Sequence, residues 1–307
     1  MKRKINIEYL KEGDLVAIGF VAKHIKMDMC NDAIVHLKSA GFNLFPIDPK
    51  VFKRNGMFSG KEEDRISYFQ TLLDNVNIRA IFFARGGFGS IKIIDKLKMD
   101  RFYKQPKWLI GFSDITTFFS HINSKHQTPV IHAPMIYNFP TSSKRSISML
   151  FSGLKGKLKN IKIKSYYLNR PGLVESEIIG GNLSILCSLL GSNSFPVVEK
   201  KILFLEDVDE YMYSIDRMFT SLSRANIFNK LSGLIIGQFT NIYDNKPSYG
   251  KSLEQLIYNH IKDFNFPVCF NFPSGHVKNN LPIFFQKKVK LTIDKEVELE
   301  YKDENYV

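Results

Sequence analysis

At 307 residues, with 44% hydrophobic and 24% charged side chains, the chain is long enough for two domains and too apolar to be disordered. Lys plus Arg outnumber Asp plus Glu by 43 to 30. That excess would suit a polyanionic partner, but the lysines are scattered and a basic proteome explains them as well, so no nucleic-acid partner is expected. Cys30, Cys187 and Cys269 lie far apart and form no C-x-x-C pair, which points to neither a disulfide framework nor a zinc site and suits a reducing compartment.

The basic start Met1-Lys2-Arg3-Lys4 is separated from the apolar run at 15–22 by Glu8, Glu12, Gly13 and Asp14, unlike the continuous hydrophobic region of a secretory leader. No apolar run approaches the ~20 residues of a membrane helix, so no membrane partner is expected. The first half then alternates. Residues 15–22 read as a buried strand, 31–40 as a helix closed by Gly41, 42–47 as a second strand and 59–76 as a helix. Residues 78–83, 107–112 and 129–132 read as the third, fourth and fifth strands. Strand and helix in strict turn imply a parallel α/β sheet with helices on both faces, in which ligands sit beyond the carboxyl ends of the strands.

Two loops fall at that edge. In Trp108-Leu109-Ile110-Gly111-Phe112-Ser113-Asp114-Ile115-Thr116-Thr117 an apolar run gives way to Ser113-Asp114, after which Ile115, Phe118, Phe119 and Ile122 recur at helical spacing. A strand–turn–helix of this kind lifts a serine hydroxyl clear of the sheet, beside free helix N–H groups. Only half of a G-x-S-x-G elbow is present, with Ile115 in place of the last Gly, and Ser or Asp before an amphipathic segment is more often just an N-cap. The other loop is Arg85-Gly86-Gly87-Phe88-Gly89-Ser90, whose spacing matches neither a dinucleotide fingerprint nor a P-loop. Adjacent glycines let a backbone N–H approach a substrate oxygen, or simply make a tight turn.

Between about residues 149 and 172 the character changes, with Lys155, Lys157, Lys159, Lys162 and Lys164 among glycines and Pro171-Gly172. The expected division is an N-terminal α/β domain over 1–152, a linker over 153–172 and a β-rich C-terminal domain over 173–307. In the second half, Gly180-Gly181-Asn182 opens a short helix through Leu190, and 201–205 is a strand running into Glu206-Asp207-Val208-Asp209-Glu210. Ile215, Met218, Phe219 and Leu222 have helical period, and 234–238, 268–272, 287–293 and 296–301 are strand-like, giving a smaller sheet or barrel with two or three helices. A carboxylate at the end of the 201–205 strand is well placed to orient an imidazole, and Pro273-Ser274-Gly275-His276 presents a histidine after a turn. His132 reads as a core or a pocket residue.

Seven motifs then occur in order: Ala84-Arg85-Gly86-Gly87-Phe88-Gly89, Gly111-Phe112-Ser113-Asp114-Ile115-Thr116, His132-Ala133-Pro134-Met135, Gly180-Gly181-Asn182-Leu183-Ser184, Phe204-Leu205-Glu206-Asp207-Val208-Asp209-Glu210, Ile215-Asp216-Arg217-Met218 and Gly275-His276. With them the chain resembles the LD-carboxypeptidase family of serine peptidases, which includes muropeptide LD-carboxypeptidases and microcin C immunity peptidases. The resemblance implies a flavodoxin-like N-terminal domain, a smaller β-rich, barrel-like C-terminal domain, and a Ser-His-Glu triad. By motif, Ser113 would be the nucleophile, His276 the general base and acid, and Glu206 the carboxylate that orients the imidazole. The N–H groups of Gly87 and Asp114 would form the oxyanion hole, and Arg85 and Gly86 would contact substrate. Arg85 would pair with a terminal carboxylate or brace the glycine turn.

No metal and no cofactor are implied. The chain departs from the family's usual His-Gly-Pro at His132-Ala133-Pro134 and from its Ala-Pro-Ser at Ala22-Lys23-His24. The expected protein is a cytoplasmic, homodimeric LD-carboxypeptidase releasing D-Ala from murein tetrapeptides in peptidoglycan recycling. The alternatives are a microcin C immunity-type peptidase cleaving a peptidyl-nucleotide, and an inactive two-domain peptide-binding protein.

Overall fold

The computed structural model describes residues 7–244 and 246–302. Its first sheet has six strands in the order Ile283–Phe285, Val130–His132, Trp108–Gly111, Ile78–Phe83, Leu15–Gly19 and Asn43–Leu44. The five from the first half are parallel and follow the flavodoxin order, so the strand order reverses at Leu15–Gly19. Their central members are buried on both faces, which explains apolar runs interrupted only by Arg79 near the start of Ile78–Phe83. The sixth strand, Ile283–Phe285, comes from the far half of the chain and adds antiparallel to the edge, with Ile283 opposite His132.

The second sheet has seven strands in the order Val268–Cys269, Gly233–Thr240, Ile202–Val208, Gly172–Asn182, Lys288–Ile293, Glu296–Tyr301 and Ile161–Lys164. Its first four are parallel and the rest antiparallel. Period-2 alternation assigns its two faces. On Ile202–Val208, Ile202 and Phe204 join the core that fills the first domain, whereas Leu203 and Leu205 face a second cluster beneath the helices Met212–Arg224 and Leu253–Ile261. Glu206 continues the register of Ile202 and Phe204 and so faces the first domain. A register shift between Leu205 and Asp207, opposite Gly233–Thr240, marks a bulge there.

Some elements differ from the sequence reading. The lysine-rich connection holds the edge strand Ile161–Lys164, paired with Glu296–Tyr301. Its Lys162 and Lys164 are exposed, the charge placement that discourages an edge from pairing with another chain. Gly172–Asn182 is one eleven-residue strand, and the helix Leu183–Ser188 begins only after it, with the Asn182 side chain accepting from the Ile185 N–H as its cap. The helix Lys144–Leu154, which the sequence reading passed over, packs its Gly153 against Phe284 of the sixth strand so closely that a Cβ would lie 2.4 Å from the ring.

Candidate active site

Every element of the site arrives at the carboxyl edge of the first sheet. Ser113 follows Trp108–Gly111 with only Phe112 between and has φ +61°, a left-handed conformation that costs a non-glycine residue energy and persists only where the surroundings impose it. The short 3₁₀ turn Ser113–Ile115 then leads into the helix Thr116–Lys125. The glycine turn after Ile78–Phe83 lies against it, since a Cβ on Gly86 would stand 3.3 Å from Ser113 Cβ and 3.4 Å from its Oγ. Asp114 ties the two loops together: its buried carboxylate accepts the Ser90 N–H at 3.0 Å. Burial raises the Asp114 pKa, opposed by the hydrogen bonds from Ser90 and Gly89. The expected oxyanion donors, the N–H groups of Gly87 and Asp114, make no hydrogen bond to the described residues.

The second sheet supplies the rest. Glu206 Oε2 accepts from His276 Nδ1 at 2.7 Å, and Glu206 is fully buried. This bond fixes the tautomer, leaving Nε2 of the neutral ring as the proton acceptor. Burial is the strongest influence on both groups. In His276 it is outweighed by the Glu206 charge and hydrogen bond, with Asp207 and Asp209 beyond, so the imidazole pKa is raised. In Glu206 it is outweighed by His276, His132 and Asn182, so the carboxyl pKa is lowered.

The loop carrying His276 is clamped from several sides. Asn280 Oδ1 accepts from the Gly275 N–H and the Ser274 hydroxyl, the Gln238 N–H donates to Ser274 O, and the Leu281 N–H donates to Pro273 O. Gly275 is required where it stands, because a Cβ there would lie 3.1 Å from Glu206 Oε2, and its φ is +132°.

Ser113 and His276 line one cavity of about 450 Å³, shared with Lys23, Arg85, Gly86, Gly87, Asn182 and Asp207. No hydrogen bond joins Ser113 to His276. Arg85 donates to the His24 carbonyl at 2.9 Å, and its guanidinium lies 4.2 Å over the Tyr137 ring. Lys23, Asn182 and Asp207 were not singled out as site residues from the sequence. Asp207 takes the Asn182 amide and the N–H groups of Val208 and Ser184, while burial and the Glu206 charge push it up to about 7. Only the Gly-Gly-Asn signature hinted at Asn182. Its backbone N–H donates to Thr116 Oγ1, fastening the second sheet to the helix that follows Ser113.

His132 is wholly buried among Phe112, Phe204 and Phe285, with neither ring nitrogen bonded among the described residues. Burial, opposed in part by Glu206, pushes it down to about 4, so it stays neutral. Among the described residues no group of three or more His, Cys, Asp or Glu is arranged to hold a metal ion, and no helix is long and apolar enough to cross a membrane.

A flavodoxin-ordered sheet with a strained serine, lining one cavity with an imidazole bonded to a buried carboxylate, has the architecture of a two-domain hydrolase. Residues 14–133 match the LD-carboxypeptidase N-terminal domain and residues 175–291 the LD-carboxypeptidase C-terminal domain. The chain belongs to the LD-carboxypeptidase family. It is 26% identical to the probable murein peptide carboxypeptidase of Bacillus subtilis (strain 168), across 92% of this chain and 91% of that one. It is also 26% identical to the microcin C7 self-immunity protein MccF of Escherichia coli, across 84% and 83%. The crystal structure of muramoyltetrapeptide carboxypeptidase from Oxalobacter formigenes shares the fold, with a TM-score of 0.85 at 23% identity, over 94% of this chain and 99% of that one.

Proposed function

We propose that the protein is a serine carboxypeptidase that hydrolyses an L,D-amide bond and releases a C-terminal D-amino acid, D-Ala, from murein tetrapeptides. The observation that carries this reading is the Glu206–His276 hydrogen bond at the wall of the cavity that Ser113 enters from a left-handed turn. Ser113 Oγ attacks the scissile carbonyl while His276 Nε2 takes its proton, and Glu206 stabilises the imidazolium that forms. The N–H groups of Gly87 and Asp114 receive the charge that develops on the carbonyl oxygen. Arg85 and Gly86 contact the substrate, with Arg85 held ready for a carboxylate by His24 and Tyr137.

On this reading the enzyme works in the cytoplasm, as a homodimer, on peptides recovered in peptidoglycan recycling. The murein peptide named for the Bacillus relative and the muramoyltetrapeptide named for the Oxalobacter enzyme support the substrate class. The test is incubation with tetrapeptides ending in L-Lys-D-Ala and in meso-diaminopimelate-D-Ala, followed by mass spectrometry. Loss of one alanine residue is expected with the parent protein and not with Ser113→Ala. Intact peptide after incubation with folded parent protein would overturn the reading.

A second reading, cleavage of a peptidyl-nucleotide as in the immunity branch, draws on the exposed rings of Tyr211, Tyr213 and Tyr243, which contact one another. The Tyr243 hydroxyl donates to Asp209, a cavity residue, at 3.5 Å, and aromatic rings near a cavity suit a stacked base. Hydrolysis of an aminoacyl sulfamoyl nucleotide in preference to the tetrapeptide would favour it.

A further inference from the structure

His276 stands between two cavities. Besides the large one that contains Ser113, a second of about 250 Å³ is lined by Phe112, Asn138, Ser142, His276, Lys278 and Asn280, among others. Phe112, Asn138 and His276 belong to both, whereas Ser113, Gly86 and Gly87 belong only to the large one. Acyl transfer gives this division a meaning. When the tetrahedral intermediate collapses, the amide C–N bond breaks, its electron pair stays on nitrogen, and that nitrogen takes the proton from His276 Nε2. The leaving nitrogen and Ser113 Oγ share the acyl carbon and the same His276 Nε2, so the departing residue must lie against His276 while the acyl chain stays beside Ser113, and a pocket lined by His276 and not by Ser113 is in place for it.

We propose that the second cavity is the leaving-group subsite, which receives the C-terminal amino acid with its free carboxylate turned to Lys278; this rests on the peptidase reading above. Its volume is below the ~300–1,000 Å³ of sites for drug-sized ligands, which suits one small residue and not a glycan. Lys278 is the only lysine or arginine among the described residues that line it. Asn138 Oδ1 and Asn280 Nδ2, an acceptor and a donor on two residues that line this cavity, are buried without partners among the described residues. The subsite thus accounts for the terminal carboxylate and leaves Arg85, on the Ser113 side, for a carboxylate elsewhere on the peptide.

The test compares a tetrapeptide bearing a free C-terminal carboxylate with its carboxamide, on the parent enzyme, Lys278→Met, Lys278→Arg and Arg85→Met. The parent should prefer the free acid by about tenfold or more in kcat/KM. Lys278→Met should lose that preference mainly through KM, Lys278→Arg should restore most of it, and Arg85→Met should keep it. Retention of the preference in Lys278→Met, or its loss in Arg85→Met alone, would overturn the subsite. Should the parent cleave neither peptide, the peptidase reading fails on its own account, and D-alanine binding decides the subsite by titration and a crystal structure. Density against Lys278 and Asn138, absent in Lys278→Met, sustains the site; density against Arg85, or no binding, removes it.

Discussion

Burial resists charge on the His276 ring, yet the Glu206 carboxylate more than offsets it and raises the imidazole pKa. On the proposed mechanism only the neutral ring can take the Ser113 proton, so kcat/KM should rise with pH along a limb above the ordinary imidazole value of about 6.5. Glu206→Gln removes the charge that raises this pKa and leaves the burial that lowers it. The limb should therefore move to lower pH while kcat falls by about 10³-fold or more, as read from a pH–rate profile. An unmoved limb would assign it to another group. His132 is already neutral far below this range and should contribute no limb. Ser113→Ala should cost on the order of 10⁴-fold in kcat with the fold intact. Because no proposed step uses a metal, EDTA should leave the rate unchanged; loss of rate restored by zinc would redirect the mechanism.

The contact between Gly181, on the Gly172–Asn182 strand, and Thr116, at the head of the helix after Ser113, is where two elements must meet without a side chain between them. A Cβ on Gly181 would lie 2.4 Å from Thr116 Oγ1, and its φ of +136° is hostile to any other residue. Gly181→Ala should thus destabilise the protein by about 2 kcal/mol or more and reduce kcat by shifting His276 relative to Ser113. Thermal unfolding and kinetics measured on one preparation would check both effects.

The sequence predicts the central parallel strands well because they are almost wholly apolar, and the seven motifs point to Ser113, Glu206 and His276 by number. Strand ends were read too long: residues 42–47 keep only Asn43–Leu44 as strand, and 268–272 only Val268–Cys269. Apolar residues continue past the last ladder hydrogen bond, and composition does not mark where pairing stops. The role of Gly172–Asn182 was hidden because glycines suggest a turn, whereas here they admit Phe204 and Thr116 at close range. The sixth strand of the first sheet was invisible for a different reason: three residues carry no periodicity, and their partner is remote in sequence.

At the scale of the molecule, one hydrophobic cluster runs from the first sheet into the inner face of the second, taking in Val16 and Phe82 as well as Phe204, Phe272 and Leu291. Two halves that share a core should not work apart. Expressed separately, residues 1–155 and 170–307 should each lack activity, the first for want of Glu206 and His276 and the second for want of Ser113. The N-terminal half should also self-associate, because removing Ile283–Phe285 uncovers the Val130–His132 edge. Assays of each half alone and mixed, with light scattering, test this. An N-terminal half that cleaves the tetrapeptide as fast as the whole chain would place the base nearer Ser113, with His132 the first candidate.

The same remote strand sets a schedule for the newborn chain. Synthesis runs from the N-terminus, and domains generally begin to fold as they emerge. Ser113, the proposed nucleophile, and the Gly86-Gly87 turn leave the ribosome early, but the sheet that bears them gains its last edge only with Ile283–Phe285, seven residues beyond His276. Maturation of the scaffold and arrival of the base therefore coincide, so an interrupted translation product carries a reactive-looking serine with no means of deprotonating it. Ribosome-bound chains arrested through C-terminal extensions of increasing length, probed with a serine-directed fluorophosphonate, should switch from unlabelled to labelled only when the segment from His276 to Phe285 has cleared the exit tunnel.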